Sequence, residues 1–241
     1  MRIAEIFRSI QGEGFMTGTE SVFVRVSGCN LRCSYCDTPY ASWSPEGEDL
    51  PVDEIATRVE ELARGDSTHE STTTRREVPV VLTGGEPMLF AELIPLTATL
   101  RRTGRHVTIE TAGTLYLPVG CDLMSISPKL SNSTPSPDQD ARWSRRHERN
   151  RHVPEVIRRL VAEYEHQLKF VVDSLDDCRE VERYLAEFPE IDRRRVMLMP
   201  QGTDANQLAE KAEWLQPYCA EVGLAFCPRR QIEWFGSIRG T

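Results

Sequence analysis

Cys29, Cys33 and Cys36 lie in one short loop, GCNLRCSYCD over residues 28–37, with the spacing C-x3-C-x2-C. Three thiolates that close together can hold three irons of a four-iron cluster. Clusters held by protein alone normally take four cysteine ligands. A missing fourth leaves one iron with an open position, able to bind and reduce a small molecule. Two other readings compete. A zinc site usually wants four Cys or His ligands in two spaced pairs, and the chain has no second CxxC and no histidine near the loop in sequence. The third reading is chance clustering of buried thiols, although Arg32, Ser34 and Asp37 make the loop polar for a core segment.

Further chemistry-bearing residues come in short blocks. Thr83-Gly84-Gly85-Glu86-Pro87 carries two glycines, which allow unusual φ and close backbone approach; a lone Gly-Gly is often just a turn. Ser127-Pro128-Lys129 offers a hydroxyl and a cation, or only a proline turn. Met199-Pro200-Gln201-Gly202 reads the same way. Glu110 could face a bound cation or close an internal salt bridge. Thr38, after Cys36 and Asp37, could give its hydroxyl to Mg²⁺, which prefers oxygen ligands, or simply serve a turn. Arg25 stands among Val22, Phe23, Val24 and Val26, where an arginine is costly to bury unless paired. By alternation it shares a face with Phe23 and opposes Val24 and Val26. Its partner is either an internal carboxylate such as Glu110 or a carboxylate on a ligand.

These blocks need a frame that gathers them. Strands are expected at 22–26, 78–82, 106–110, 123–127, 168–172, 196–199 and 223–226. Helices are expected at 52–63, 91–102, 153–165, 176–187 and 204–218, the first from the helical spacing of Val52, Ile55, Ala56, Val59, Leu62 and Ala63. Alternating strand and helix predicts a parallel sheet wrapped by helices, and each block follows a strand, where α/β folds bind ligands. The strands are too few for a complete eightfold barrel, so an α/β partial, TIM-like barrel is expected, built as one domain over 1–241. Two polar stretches break the rhythm. Residues 65–77 read as a surface loop. Residues 131–152 hold five arginines and one glutamate between Arg142 and His152 and read as a solvated loop, or as a lid over a carboxylate-bearing substrate.

Composition bounds the setting. The chain has 241 residues and a formal charge of −8, which disfavours non-specific nucleic-acid binding. The N-terminus lacks a signal-peptide apolar core, and no apolar run approaches the roughly 18 residues of a membrane span. No membrane partner and a cytoplasmic location are expected. Cys121, Cys178, Cys219 and Cys227 read as small apolar residues in a reducing compartment.

The cysteine spacing, followed by a GGE block, resembles the radical S-adenosylmethionine enzymes. The resemblance narrows with FRSIQGEG at 7–14, Arg25, Cys-Asp-Thr at 36–38, TGGEP at 83–87 and Ser-Pro-Lys at 127–129, which occur together and in order. The chain resembles the 7-carboxy-7-deazaguanine synthases from Glu5 to the C-terminus, and Gln-Gly-Glu-Gly is the most diagnostic block. The resemblance implies a radical S-adenosylmethionine fold, a [4Fe–4S] cluster, S-adenosylmethionine and Mg²⁺. The implied reaction contracts the ring of 6-carboxy-5,6,7,8-tetrahydropterin with loss of ammonia, in 7-deazapurine (queuosine) biosynthesis. A 5′-deoxyadenosyl radical takes a hydrogen from the pterin carbon bearing the carboxylate and later takes hydrogen back.

Carried onto matching positions, Ile10, Gln11, Gly12, Glu13 and Thr83 would contact the pterin. Arg25 would bind its carboxylate, and Thr38 the Mg²⁺. Cys29, Cys33 and Cys36 would hold the cluster. Tyr35, Cys36, Asp37, Gly85, Glu86, Ser127, Pro128, Lys129, Met199, Pro200, Gln201 and Gly202 would surround S-adenosylmethionine, with Glu86 near its ammonium. An external flavodoxin- or ferredoxin-like electron donor and a homodimer are also implied. Gln231 departs from the family, which commonly has a histidine there, and puts the tail contacts in doubt. Two other functions stay open: an activase that installs a glycyl radical in a partner protein, which would leave Gln-Gly-Glu-Gly unexplained, and a non-enzymatic zinc or scaffold protein.

Overall fold

The computed structural model describes residues 1–65 and 78–241; the surface loop expected at 65–77 lies outside them except for Gly65. Nine strands form one sheet: β1 (Arg2–Ile10), β2 (Glu20–Val26), β3 (Glu48–Asp49), β4 (Val80–Gly84), β5 (Val107–Thr111), β6 (Leu123–Ile126), β7 (His166–Val172), β8 (Val196–Pro200) and β9 (Ala225–Phe226). Their order is β3-β1-β2-β4-β5-β6-β7-β8-β9. From β2 to β9 every neighbouring pair is parallel, whereas β1 runs antiparallel to β2 and β3. Among the described residues the α-helices are α1 (Val52–Arg64), α2 (Leu93–Arg102), α3 (Pro137–Asn150), α4 (Pro154–Glu163), α5 (Leu175–Glu187), α6 (Ala205–Val222) and α7 (Arg230–Phe235). Among the described residues no helix is long and apolar enough to cross a membrane.

Alternation along the strands divides the molecule into two environments. Val22, Val24 and Val26 of β2, Val80 and Leu82 of β4, Val107 and Ile109 of β5, Leu168, Phe170 and Val172 of β7, and Val196 and Leu198 of β8 join one apolar core. The helices pack on that side, α1 through Ile55, Ala56, Val59 and Ala63. The alternate residues Arg25, Thr83, Glu110, Ser125, Lys169 and Met199 line a cavity on the other side. Because side chains of a strand point to opposite faces in turn, the apolar set is buried under helices and the polar set is forced inward.

The sheet curls but does not close. In strand order β7 is five steps from β1, about 24 Å in a flat sheet at ~4.8 Å per step. Yet Lys169 on β7 reaches Glu13, just after β1, at 2.9 Å. The Phe15 amide donates to Gln167 Oε1 at 2.8 Å. The expected partial barrel is therefore present, with strand ends within two residues of those read from sequence.

Four elements differ from expectation, the two-residue strand β3 among them. The N-terminal residues form the longest strand, β1, without a clean alternation of apolar residues to mark it. A β-bulge between Ile3 and Glu5 shifts its register, so Ile3 and Ile6 face the core while Glu5 and Phe7 face the other way. Residues 137–150 form α3, not a solvated loop. Ser136 caps this helix by accepting from the Gln139 amide, and its backbone kinks at Asp140. Its only fully buried side chain is His147, so the apolar periodicity that flags a helix is missing. No described residue of 131–152 lines the cavity, which removes the lid reading. Finally, α7 forms in the tail.

Candidate active site

The cavity, about 350 Å³, opens at the C-terminal ends of the parallel strands. Cys29, Cys33 and Cys36 all line it, and all are free thiols. Backbone contacts hold their loop open. Gly28 N–H donates to Ala41 O at 2.8 Å, Cys36 N–H to Cys33 O at 3.3 Å and Ser34 N–H to Ser133 O at 2.8 Å. Trp43 Nε1 donates to Cys33 O at 2.9 Å. The Arg32 amide donates to His147 Nδ1 at 3.1 Å, so a histidine 115 residues away in sequence props the loop. Burial, the Glu86 charge and the neighbouring thiols push Cys29 up to about 12. Burial also pushes Cys33 up to about 12, against the pull of Lys129. A bound metal inverts this preference and takes thiolates. Among the described residues no three His, Cys, Asp or Glu side chains gather for one metal ion. Thiols arrayed at one cavity wall instead fit a cluster, which Cys29, Cys33 and Cys36 would hold; among the described residues no fourth cysteine lines the cavity.

The glycines at 84–85 line the cavity and allow a close backbone approach. A Cβ on Gly85 would stand 2.1 Å from Gly28 O and 2.6 Å from Ala41 O, and one on Gly84 would stand 2.3 Å from Val26 O. They let β4 pack against the backbone of the cysteine loop, an approach sealed by Glu86 N–H donating to Gly28 O at 2.8 Å. Glu86 itself is fully buried and does not line the cavity. Its carboxylate accepts from Thr111 Oγ1 and the Ala112 amide at 2.8 Å each and from the Met88 amide at 3.0 Å. Burial raises its pKa against those hydrogen bonds. Glu86 thus ties β4 to the end of β5.

Facing the cysteine loop is an ion network. Lys169 Nζ lies 2.9 Å from Glu13 and 3.3 Å from Glu110. Arg229 reaches Glu13 at 3.3 Å and also pairs with Asp37. Gln231 Nε2 donates to Glu13 Oε1 at 2.6 Å, Gln11 Nε2 to Glu110 Oε1 at 3.2 Å and Thr83 Oγ1 to Glu110 Oε2 at 2.8 Å. Burial alone would raise the Glu13 pKa, but Lys169 and Arg229 hold it far below the usual carboxylate range. Burial would lower Lys169, and Glu110 and Glu13 raise it instead. Both groups are therefore charged at neutral pH. The tail contacts put in doubt by Gln231 exist: Arg230 N–H donates to Gly12 O at 3.1 Å.

Arg25 lines the cavity, but its internal partner is Glu5 at 2.6 Å, not Glu110. Tyr40 donates to the same carboxylate oxygen at 2.7 Å. That pair uses Arg25 Nε; its two terminal nitrogens have no protein hydrogen-bond partner among the described residues. Phe7 and Phe23, stacked at 5.1 Å, form an apolar wall beside it.

Of the remaining expected site residues, Ile10, Gln11, Gly12, Tyr35, Asp37, Thr38, Ser127, Lys129, Met199 and Gln201 line the cavity, whereas Pro128, Pro200 and Gly202 do not. Lys129 donates to Ser127 Oγ at 2.7 Å. Gly202 contributes its carbonyl to Arg229 at 2.6 Å. Thr38 precedes a 3-10 turn at Pro39–Ala41 without capping it through its side chain, and its hydroxyl lies 3.8 Å from Cys36 Sγ. Motif reading does not single out Lys169, Arg229, Glu5 or Tyr40. Lys169 carries a usable signal, a lone cation in the apolar strand LKFVV, by the same burial argument that flags Arg25.

Comparison with known proteins agrees with this geometry. The model of the Radical SAM superfamily matches residues 23–182. A 7-carboxy-7-deazaguanine synthase of Rhodopirellula baltica is 44% identical over 99% of this chain and 88% of its own length. One from Halobacterium salinarum is 38% identical over 95% of this chain and 88% of its own length. The crystal structure of QueE from Escherichia coli shares the fold, with a TM-score of 0.67 over 94% of this chain and 92% of that one, at 21% identity. Enzymes of the matched superfamily work with a four-iron cluster and S-adenosylmethionine, and the open three-cysteine site fits the first of these. The chain belongs to the 7-carboxy-7-deazaguanine synthase family of radical S-adenosylmethionine enzymes.

Proposed function

We propose that this protein converts 6-carboxy-5,6,7,8-tetrahydropterin to 7-carboxy-7-deazaguanine, the product its relatives are named for, with loss of ammonia. The observation that carries the substrate reading is the pairing of Arg25, with two unused guanidinium nitrogens, and the buried Glu13–Lys169–Glu110 network inside one cavity. A heterocycle bearing a carboxylate at one end and ring N–H groups at the other matches both ends. The Arg25 fork takes the carboxylate in a charge-assisted bidentate pair. Glu13, held ionised by Lys169 and Arg229, accepts N–H donors from the ring, and Gln11 and Thr83 orient its edge from beside Glu110. Ile10 and Gly12 close over one side, with Phe7 and Phe23 as the apolar wall.

Cys29, Cys33 and Cys36 hold the cluster, which together with S-adenosylmethionine supplies reductive cleavage to a 5′-deoxyadenosyl radical. Tyr35, Asp37, Ser127, Lys129, Met199 and Gln201 hold S-adenosylmethionine against the cysteine wall. Gly85, Glu86, Pro128, Pro200 and Gly202 serve that wall through backbone and packing. Thr38 turns its hydroxyl to the same space and is assigned to Mg²⁺, which keeps several non-protein oxygen ligands. The test is anaerobic incubation of the cluster-loaded protein with the pterin, S-adenosylmethionine, Mg²⁺ and dithionite, followed by mass analysis. The expected products are 7-carboxy-7-deazaguanine and ammonia. Cleavage of S-adenosylmethionine with the pterin returned unchanged would remove the substrate assignment and keep the radical chemistry.

A further inference from the structure

The basic run in 131–152 is left without a role once the lid reading fails. In α3 its residues fall on two faces. Trp143 and His147 turn toward the cysteine loop: Arg32 stacks over the Trp143 ring at 4.2 Å, and His147 Nδ1 accepts the Arg32 amide at 3.1 Å. Arg142, Arg145, Arg146 and Arg149, spaced at i, i+3, i+4 and i+7, share an adjacent face, and all four are exposed. Arg146 also stacks on Trp143, at 4.6 Å. None of the four makes an ion pair among the described residues, whereas Arg151 is paired with Glu148 and Glu180. The nearby carboxylates are Asp138 and Asp140 in the first turn of the helix and Glu148, which accepts from Arg151 and Thr134. A stripe of uncompensated positive charge on a protein of net charge −8 is a local field of the opposite sign. It lies on the helix that props the cluster-bearing loop.

We propose that the arginine face of α3 is the docking surface for an acidic one-electron carrier protein, placed where the carrier can reduce the cluster. This rests on the reading above, since reductive cleavage of S-adenosylmethionine consumes one electron per event. In the transfer the carrier loses one electron and the cluster gains it. A carrier seated on the exposed face stands about one helix diameter, ~10 Å, from the cysteine loop. Opposite charge raises the encounter rate and selects the partner, and salt screens it.

The test compares cluster-loaded wild type with the triple variant R142E/R145E/R149E, using reduced flavodoxin as the probe carrier. These three residues touch neither the cysteine loop nor the cavity. Flavodoxin-driven cleavage of S-adenosylmethionine should slow at least about ten-fold at low ionic strength, and the gap should close at high salt. Dithionite-driven cleavage and the cluster absorbance should stay within about two-fold of wild type. The neutral triple variant R142Q/R145Q/R149Q should fall between, and it carries the test if charge reversal harms folding. Equal flavodoxin-driven rates in wild type and variants, or a salt-independent rate, would overturn the docking surface. So would loss of RNA binding in the variant with an unchanged flavodoxin-driven rate, which would give the stripe to nucleic acid. Failure of dithionite-driven cleavage in wild type would instead strike the radical reading itself.

Discussion

Lys169→Met removes the cation that bridges Glu13 and Glu110 while keeping a similar apolar stem. The Lys169 side chain is 4% exposed and that of Glu13 14%, so both charges depend on each other rather than on water. Breaking a buried pair by removing one partner costs on the order of 3–5 kcal/mol. Glu13 would retain Arg229 at 3.3 Å and Gln231 at 2.6 Å, which places the loss toward ~3 kcal/mol. At roughly 2–4 °C per kcal/mol for a chain of this size, Tm should fall by about 6–12 °C. The pH dependence has a definite sign. In the native protein Glu13 is held far below the usual carboxylate range, so its contribution is present above the ordinary carboxylate pKa and is lost as pH falls through the folded value. In the variant, burial without Lys169 raises Glu13, and its ionised form becomes a cost that protonation relieves. The variant's deficit should therefore be largest near neutral pH and shrink on acidification. The assay is anaerobic urea unfolding followed by circular dichroism at pH 7.5 and 5.5. Adding Glu13→Gln to the variant should recover part of the loss, because removing both charges costs less than stranding one. A deficit under about 1 kcal/mol at pH 7.5, or purely additive losses in the double variant, would refute the network as a coupled unit.

Arg25→Met should fold, load its cluster and bind S-adenosylmethionine, yet lose at least about ten-fold in affinity for the carboxypterin by calorimetry, consistent with a charge-assisted pair; normal pterin affinity with a lowered Tm would leave Arg25 only its pair with Glu5. Gly85→Ala puts a methyl 2.1 Å from Gly28 O, so iron content after reconstitution should drop sharply while the far half of the sheet stays folded by hydrogen exchange. Thr38→Ala should keep full iron content but shift the Mg²⁺ titration of activity to higher concentration, and an unshifted curve would return Thr38 to its turn. Cys33→Ala should abolish both the Fe–S absorbance and S-adenosylmethionine cleavage, whereas Cys219→Ala, far from the cavity wall in the apolar core, should alter neither.

Much of this protein is legible in its residue order because the governing effects are local. The cysteine loop spans so few residues that its spacing alone marks it as a metal-binding candidate, and the family resemblance narrows it to a cluster. The strands announce themselves as short apolar runs between helical patterns, and alternation in β2 already sends Arg25 and Phe23 to one face and the valines to the other. Where the buried face of an element is polar, that signal fails. β1 mixes charges with apolar residues around a bulge, and α3 buries a histidine and half of a tryptophan, so neither shows the expected period.

Tertiary structure alone decided the ion network. Lys169 meets Glu13 across 156 residues of sequence and Arg229 meets it across 216, pairings that exist only because the sheet curls until β7 faces the end of β1. Strand register, not the curl, decided that Arg25 pairs with Glu5, its cross-strand neighbour on β1, and that Glu86 ties the adjacent ends of β4 and β5. Sequence reads which side chains must be compensated when buried; only packing assigns the partner, because charge compensation depends on distances of a few ångströms that no local pattern encodes.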